Sequence, residues 1–275
     1  MNKIRAFADK YQILYCIIIE AFLLSFLLLV GTLIAHLVPR GEYYVSLSIQ
    51  EAIGAILACG LLQISGLKIV LANRGSGFWN GLLVGMYLLV VSALSIFANL
   101  VNYTGKRNIQ DWYMILIYIG CMICVGITEE FVFRGIIGTL LLRKFGTSRV
   151  GIWSAVILSG ILFGAAHISN IIGASLVGVL VQAAIASMLG MLLAAIYFRT
   201  GCIWVTVALH ALVDITAAIT TGLYGNGTMS DTVSSYNPAM LISCVIYLIV
   251  LIVLLRKSKT AEIEKHMNPI LEHTL

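Results

Sequence analysis

Six ionisable side chains lie inside apolar stretches of this sequence: Glu129, Glu130 and Arg134, then His167, then His210 and Asp214. Charge is costly in such surroundings, and where the surroundings are lipid, a functional site is the default reading. A glutamate with two histidines is a set suited to activating water. The carboxylate can take the proton. The imidazoles can bind a divalent metal such as zinc, orient the water, or stabilise an oxyanion. Asp214, one helical turn beyond His210, can orient that ring or supply a further metal ligand. Neither an H-E-x-x-H helix nor a G-x-S-x-G nucleophile turn occurs in the sequence, so a zincin pair or a serine mechanism has no motif here.

Spacing sharpens the assignment. Glu130 and Arg134 are four residues apart, so on a helix they pair along one face. Glu129 is turned about 100° from Glu130 and is free to face a different neighbour. His210 and Asp214 also share a face. His167 follows Gly160-x-x-x-Gly164, a small-residue pattern that lets membrane helices approach closely. Measured from the nearest basic loop residues, Glu129 lies roughly 21 Å and His167 roughly 27 Å deep at helical rise. Of the other carboxylates in apolar runs, Glu51 is expected to reach the surface near a segment start. Glu20 is deeper, buried against a neighbour or part of a pathway. His36 is expected at the interface. Buried polar clamps between helices would explain any one of these residues, but six of them on three segments point to chemistry.

The elements that position them are membrane helices. Of the 275 residues, 60% are hydrophobic and only 11% charged, with mean hydropathy +1.02, against about 25% charged in a soluble domain. The fold class is all-α, a polytopic helical bundle. A span needs roughly 20 apolar residues, and about eight segments qualify: 12–37, 47–72, 78–101, 112–142, 150–168, 171–197, 202–221 and 239–255. Trp79, Trp112, Trp153 and Trp204 fall in first turns, as in an interfacial belt. The first run exceeds the 7–15 residues of a signal-peptide core and is expected to remain as a span. Basic residues favour both termini in the cytoplasm: Lys3, Arg5 and Lys10, then Lys68 and Arg74, then Arg143, Lys144, Arg149 and Arg199, then Arg256, Lys257 and Lys259. The first opposite loop has Arg40 with Glu42, and Lys106 and Arg107 dissent. The organisation expected is helices 1–3 over residues 1–111, the core over 112–221, and a loop, last helix and polar tail over 222–275, all one membrane domain. The Gly/Ser/Thr-rich loop from Gly222 to Pro238 is expected to be mobile. The tail is expected to form a short amphipathic helix, with His266 and His273 solvated. The six cysteines, including Cys121-x-x-Cys124, read as small packing residues without disulfides. No basic stretch is interleaved with aromatics, so nucleic acid is not an expected partner.

Glu129-Glu130-x-x-x-Arg134, Phe163-x-x-x-His167 and His210-x-x-x-Asp214 resemble the three motifs of the CPBP family, the CAAX-processing and bacteriocin-processing intramembrane proteases (Abi family). The three occur in order over residues 129–214. The resemblance implies an eight-span helical fold and an intramembrane endopeptidase acting on a peptide or prenylated membrane-associated protein. It implies that Glu129 activates water with help from His167, that Glu130 and Arg134 support them, and that Phe163 belongs to the second motif. His210 and Asp214 would form the oxyanion-side pair. In the metalloprotease form of the same resemblance, Glu129, His167, His210 and Asp214 are the ligands. The prenyl-protease branch has asparagine where Asp214 stands. Bacterial members are associated with bacteriocin self-immunity and peptide processing. Two other functions use the same residues: a proton-coupled carrier with Glu129, Glu130 and His167 as relay, and a non-catalytic scaffold or immunity protein. The carrier would be expected to show an inverted repeat, and none is visible.

Overall fold

The computed structural model describes residues 3–38, 43–72 and 76–272. Arg40, Glu42, Arg74 and His273 lie outside the described residues. Among the described residues there is no strand. The chain runs α1 (Lys3–Lys10), α2 (Gln12–Leu37), α3 (Tyr43–Ile64), α4 (Phe78–Val84), α5 (Met86–Asn102), α6 (Trp112–Glu130), α7 (Thr139–Phe145), α8 (Arg149–Ala166), α9 (Leu176–Thr200), α10 (Ile203–Ala217), α11 (Ile219–Tyr224), α12 (Met229–Ser234), α13 (Ile242–Leu254) and α14 (Thr260–Glu272).

Between α6 and α7 the backbone continues without a break as a π-helix, Phe131–Gly138. The rod Trp112–Phe145 is one of five helices among the described residues that are long and apolar enough to cross a membrane. The others are Gln12–Leu37, Tyr43–Ile64, Arg149–Ile172 and Leu176–Thr200. Two bent pairs, Phe78–Val84 with Met86–Asn102 at 71° and Pro238–Leu254 with Lys257–Glu272 at 57°, bring the candidates to seven. The apolar segment read over 202–221 is helical as α10, but its 15 residues reach only about 22 Å. It packs against α5, α6 and α9.

Every residue from Phe131 to Leu142 is buried, as is the stretch of α9 from Leu192 to Thr200. A helix that is apolar all round belongs in the interior of the bundle, and these two form its centre. The outer helices instead expose long apolar side chains such as Leu29, Leu33, Phe97 and Ile249, the surface that lipid covers. Of the four tryptophans, Trp79 and Trp112 are 79% and 73% exposed, as interfacial anchors require.

Local signals set the ends of the helices around the site. Ser148 and Ser175 accept from the backbone of Gly151 and Gly178 at 3.2 Å, capping α8 and α9. Gly201, at φ 61°, ends α9 in the left-handed conformation. The weak break between the fifth and sixth segments falls at Gly173–Ser175, with α9 starting at Leu176 rather than residue 171. The Gly160/Gly164 face does lie at a tight contact. A Cβ on Gly164 would stand 1.9 Å from Ser187 Oγ, and one on Gly160 2.3 Å from Met191 Cγ. α8 therefore lies backbone-close to α9, and His167 emerges at its end.

Three expectations are corrected. The stretch from Gly222 to Pro238 is structured: α12 begins with a capping box between Thr228 and Asp231, Tyr43 accepts from the Met229 amide at 3.2 Å, and Ser234 accepts from the Ser175 amide at 3.0 Å. Side-chain oxygens here satisfy the backbone that a loose loop would leave to water. His266 is half-buried, with Nδ1 against the Arg199 carbonyl. The tail helix carries it there because Ile263, Met267 and Ile270 are buried at helical spacing. Glu51 does not reach the surface; it is 6% exposed, because α3 starts at Tyr43 and places it well inside the helix.

Candidate active site

A cavity of about 300 Å³ opens between α2, α3, α6, the end of α8, α9, α10 and α12. Glu129, His167, His210 and Asp214 all line it. So do Glu51 and Gln50 of α3, and Asn170 and Gln182 at the α8–α9 turn. Leu23, Leu24, Leu27 and Leu28 make its apolar wall, and Met229, Ser230 and Val233 of α12 make its roof.

His210 is the hub of the polar end. It is 2% exposed. Its Nδ1 donates to Glu130 Oε1 at 2.8 Å, and its Nε2 lies 3.5 Å from both Glu129 Oε2 and Asp214 Oδ2. The carboxylate on Nδ1 fixes which nitrogen faces the cavity. In the protonated form the ring donates on both sides and meets a carboxylate on each. Glu130 is fully buried and pairs with Arg134 at 3.0 Å. Arg134 also reaches the Gly190 carbonyl at 3.4 Å, and its guanidinium carbon stands 4.3 Å above the Phe163 ring. Phe163 in turn packs edge-on to the rings of His167 and His210, at 4.8 and 5.5 Å. Phe163 thus links all three motifs, holding one side of both imidazoles.

His167 opens a 3-10 turn, His167–Ile172. Its Nδ1 donates to the Phe163 carbonyl at 2.8 Å, which leaves Nε2 as the acceptor. The resemblance implies Glu129 working with His167. In the structure the two share the cavity, while the ion contact of Glu129 is with His210. Just after Glu130 the helix type changes. The Thr139 amide closes an i→i+5 bond to the Arg134 carbonyl, so α-helical spacing no longer describes the face that follows. Such π turns are frequent at functional sites.

Two features of the site have no motif. Glu130 orients His210, a role the sequence alone offered to Asp214. Glu51 joins the cavity from a helix outside the three motifs. Glu20 is buried with Oε2 unpartnered among the described residues and does not line the cavity.

For a divalent metal, the donors nearest one another are His210 Nε2 and the Glu129 and Asp214 oxygens. Among the described residues, no three His, Cys, Asp or Glu side chains are grouped to hold a metal ion. As arranged, the described residues do not fit the ligand set that the metalloprotease form of the resemblance implies.

Residues 111–216 match the model of the family described as type II CAAX prenyl endopeptidase Rce1-like. Neither a curated protein nor a solved structure matches the chain. The matched segment holds Glu129, Glu130, Arg134, Phe163, His167, His210 and Asp214, and leaves Glu51 outside. Over residues 111–216 the chain is therefore similar to the CAAX-protease type of the CPBP family, within a multi-pass membrane protein.

Proposed function

We propose that the chain hydrolyses a peptide bond in a peptide or membrane-associated protein, using a water activated by Glu129 and oriented by His167. The observation that carries this reading is the placement of Glu129 Oε2 3.5 Å from His210 Nε2, with the far side of the ring fixed by Glu130. This supports reading Glu129 as a base and His210 as an oxyanion donor side by side on one cavity.

The water attacks the carbonyl carbon, Glu129 takes its proton, and His167 Nε2 accepts the second hydrogen bond of the same water. Charge then develops on the carbonyl oxygen, where His210 Nε2–H donates to it. The protonated Glu129 delivers its proton to the leaving nitrogen as the C–N bond breaks, which restores the Glu129 carboxylate and releases an amine and a carboxylic acid, the acid then losing its remaining proton to water or to the amine. Asp214, on the same imidazole nitrogen, positions His210 and does not itself donate. The apolar wall from α2 accepts hydrophobic parts of the substrate. Peptide processing or bacteriocin self-immunity, which the resemblance raises, would use this same chemistry.

The test is cleavage of matched hydrophobic peptides, with and without a prenylated cysteine, by the purified protein and by Glu129→Gln. Cleavage by the wild type, lost in the variant, supports the proposal. Equal rates for both proteins would remove Glu129 as the base. Proton-coupled uptake into liposomes, lost on the same change and without any cleavage, would replace hydrolysis with transport.

A further inference from the structure

One carboxylate on the cavity belongs to none of the three motifs. Glu51, on α3, is 6% exposed and lines the cavity with Glu129 and Asp214. Its place is fixed by the backbone. The Thr128 hydroxyl donates to the Glu51 carbonyl at 3.2 Å, and Thr128 is the residue before Glu129. One turn further along α3, a Cβ on Gly54 would stand 3.1 Å from Thr128 Oγ1. The two helices are therefore in close contact at this level, and Glu51 stands beside Glu129.

The carboxyl groups facing the cavity outnumber the groups there that can carry positive charge. Three carboxylates, Glu51, Glu129 and Asp214, face it with two imidazoles, and no lysine or arginine lines it. His210 is already shared by Glu129 and Asp214, and Arg134 is committed to Glu130. The polar contacts of the Glu51 side chain are both uncharged, the Gln50 amide at 3.5 Å from Oε1 and the Thr128 hydroxyl. Among the described residues it has no ion-pair partner. An ionised carboxylate out of water is costly without a counter-charge. An ammonium or guanidinium group brought by a ligand would supply one.

We propose that Glu51 is a specificity-determining residue that binds a cationic group of the substrate, either a basic side chain near the scissile bond or a free α-ammonium terminus. This rests on the peptidase reading above. It extends that reading from hydrophobic peptides to hydrophobic peptides bearing one positive charge beside the cleaved bond.

The experiment compares three hydrophobic peptides of one sequence. One is N-acetylated with a lysine beside the scissile bond, one is N-acetylated with norleucine there, and one has norleucine and a free amino terminus. For wild type, Glu51→Gln and Glu51→Asp, the readout is the ratio of kcat/KM for each cationic peptide over the neutral one. In parallel, fluorescence anisotropy measures binding of the same peptides to Glu129→Gln, with and without Glu51→Gln. Removing one partner of a buried charge pair costs about 2–5 kcal/mol, so the wild-type ratio is expected to be on the order of 30-fold or more. It should fall to near one in Glu51→Gln and be partly kept in Glu51→Asp. A preference in the acetylated lysine peptide assigns the side chain, and one confined to the free amine assigns the terminus. Equal handling of all three peptides by the wild type, or a preference that survives Glu51→Gln, overturns the proposal. If no peptide is cleaved, the peptidase reading fails, and the anisotropy ratio alone decides for or against Glu51.

Discussion

The Nδ1 of His210 lies 2.8 Å from Glu130 Oε1, and that same oxygen lies 3.0 Å from Arg134 Nη1. One buried carboxylate oxygen therefore holds both an arginine one turn further along its own rod and a histidine from a helix 80 residues away. The second glutamate of the Glu129-Glu130 pair is in this way the structural key to the site, and the first faces the reaction.

Glu129→Gln keeps shape and removes the base. General acid–base groups contribute roughly 10²–10⁴-fold, so kcat on a cleaved peptide should drop by about that factor. Thermal unfolding in detergent should stay near that of the wild type, because Glu129 is partly exposed on the cavity and carries no pair that the fold needs.

Arg134→Met behaves differently. It leaves Glu130 buried with one cation fewer, and breaking such a pair costs about 3–5 kcal/mol. Denaturant unfolding should record that loss. The double variant Glu130→Leu/Arg134→Met should recover much of the stability, yet remain inactive, because His210 then has no carboxylate on Nδ1. Recovery of activity along with stability would show that Glu130 is not needed to orient the ring.

Gly164→Leu tests the close approach. Its new side chain has to displace Ser187 Oγ, 1.9 Å from the Cβ position, and the Ala183 carbonyl at 2.5 Å. Overpacking of this kind costs about 1–3 kcal/mol. Because Phe163 and His167 flank the glycine, kcat should fall along with stability. A stable, fully active variant would mean that α8 can shift without disturbing the cavity.

Acid should loosen the C-terminal helix. α14 is the polar limb of its bent pair, turned 57° from the apolar α13. Burial alone would raise the Glu262 carboxyl, but hydrogen bonds from Lys259 and Arg199 outweigh it and hold the group below its ordinary 4.5. A carboxyl lowered on folding stabilises the fold above its unfolded value, and that contribution is lost as pH falls through the folded value. The difference in unfolding midpoint between wild type and Glu262→Gln should therefore be full near neutrality and vanish in acid below about 4.5. A difference independent of pH would assign Glu262 a packing role.

Exhaustive chelation is expected to leave peptide cleavage intact, since the donor groups are engaged with one another. Activity lost to a chelator and restored by zinc alone would make Glu129, His167, His210 and Asp214 the candidate ligands.

Much of this protein was legible from residue types and spacing. Membrane burial penalises charge so heavily that the six ionisable residues of the site stand out against 60% hydrophobic composition. The Glu130–Arg134 pair and the Gly160/Gly164 contact follow from one-helix periodicity, a local property. What periodicity cannot carry is the angle at which one helix meets another. Nor does an α-helical count register the π turn after Glu130 or the 3-10 turn at His167. Only tertiary packing gave Glu129 to His210, gave Glu130 the task of orienting that ring, brought α12 over the cavity as its roof, and drew Glu51 in from α3. In each case the deciding contact joins elements far apart in sequence.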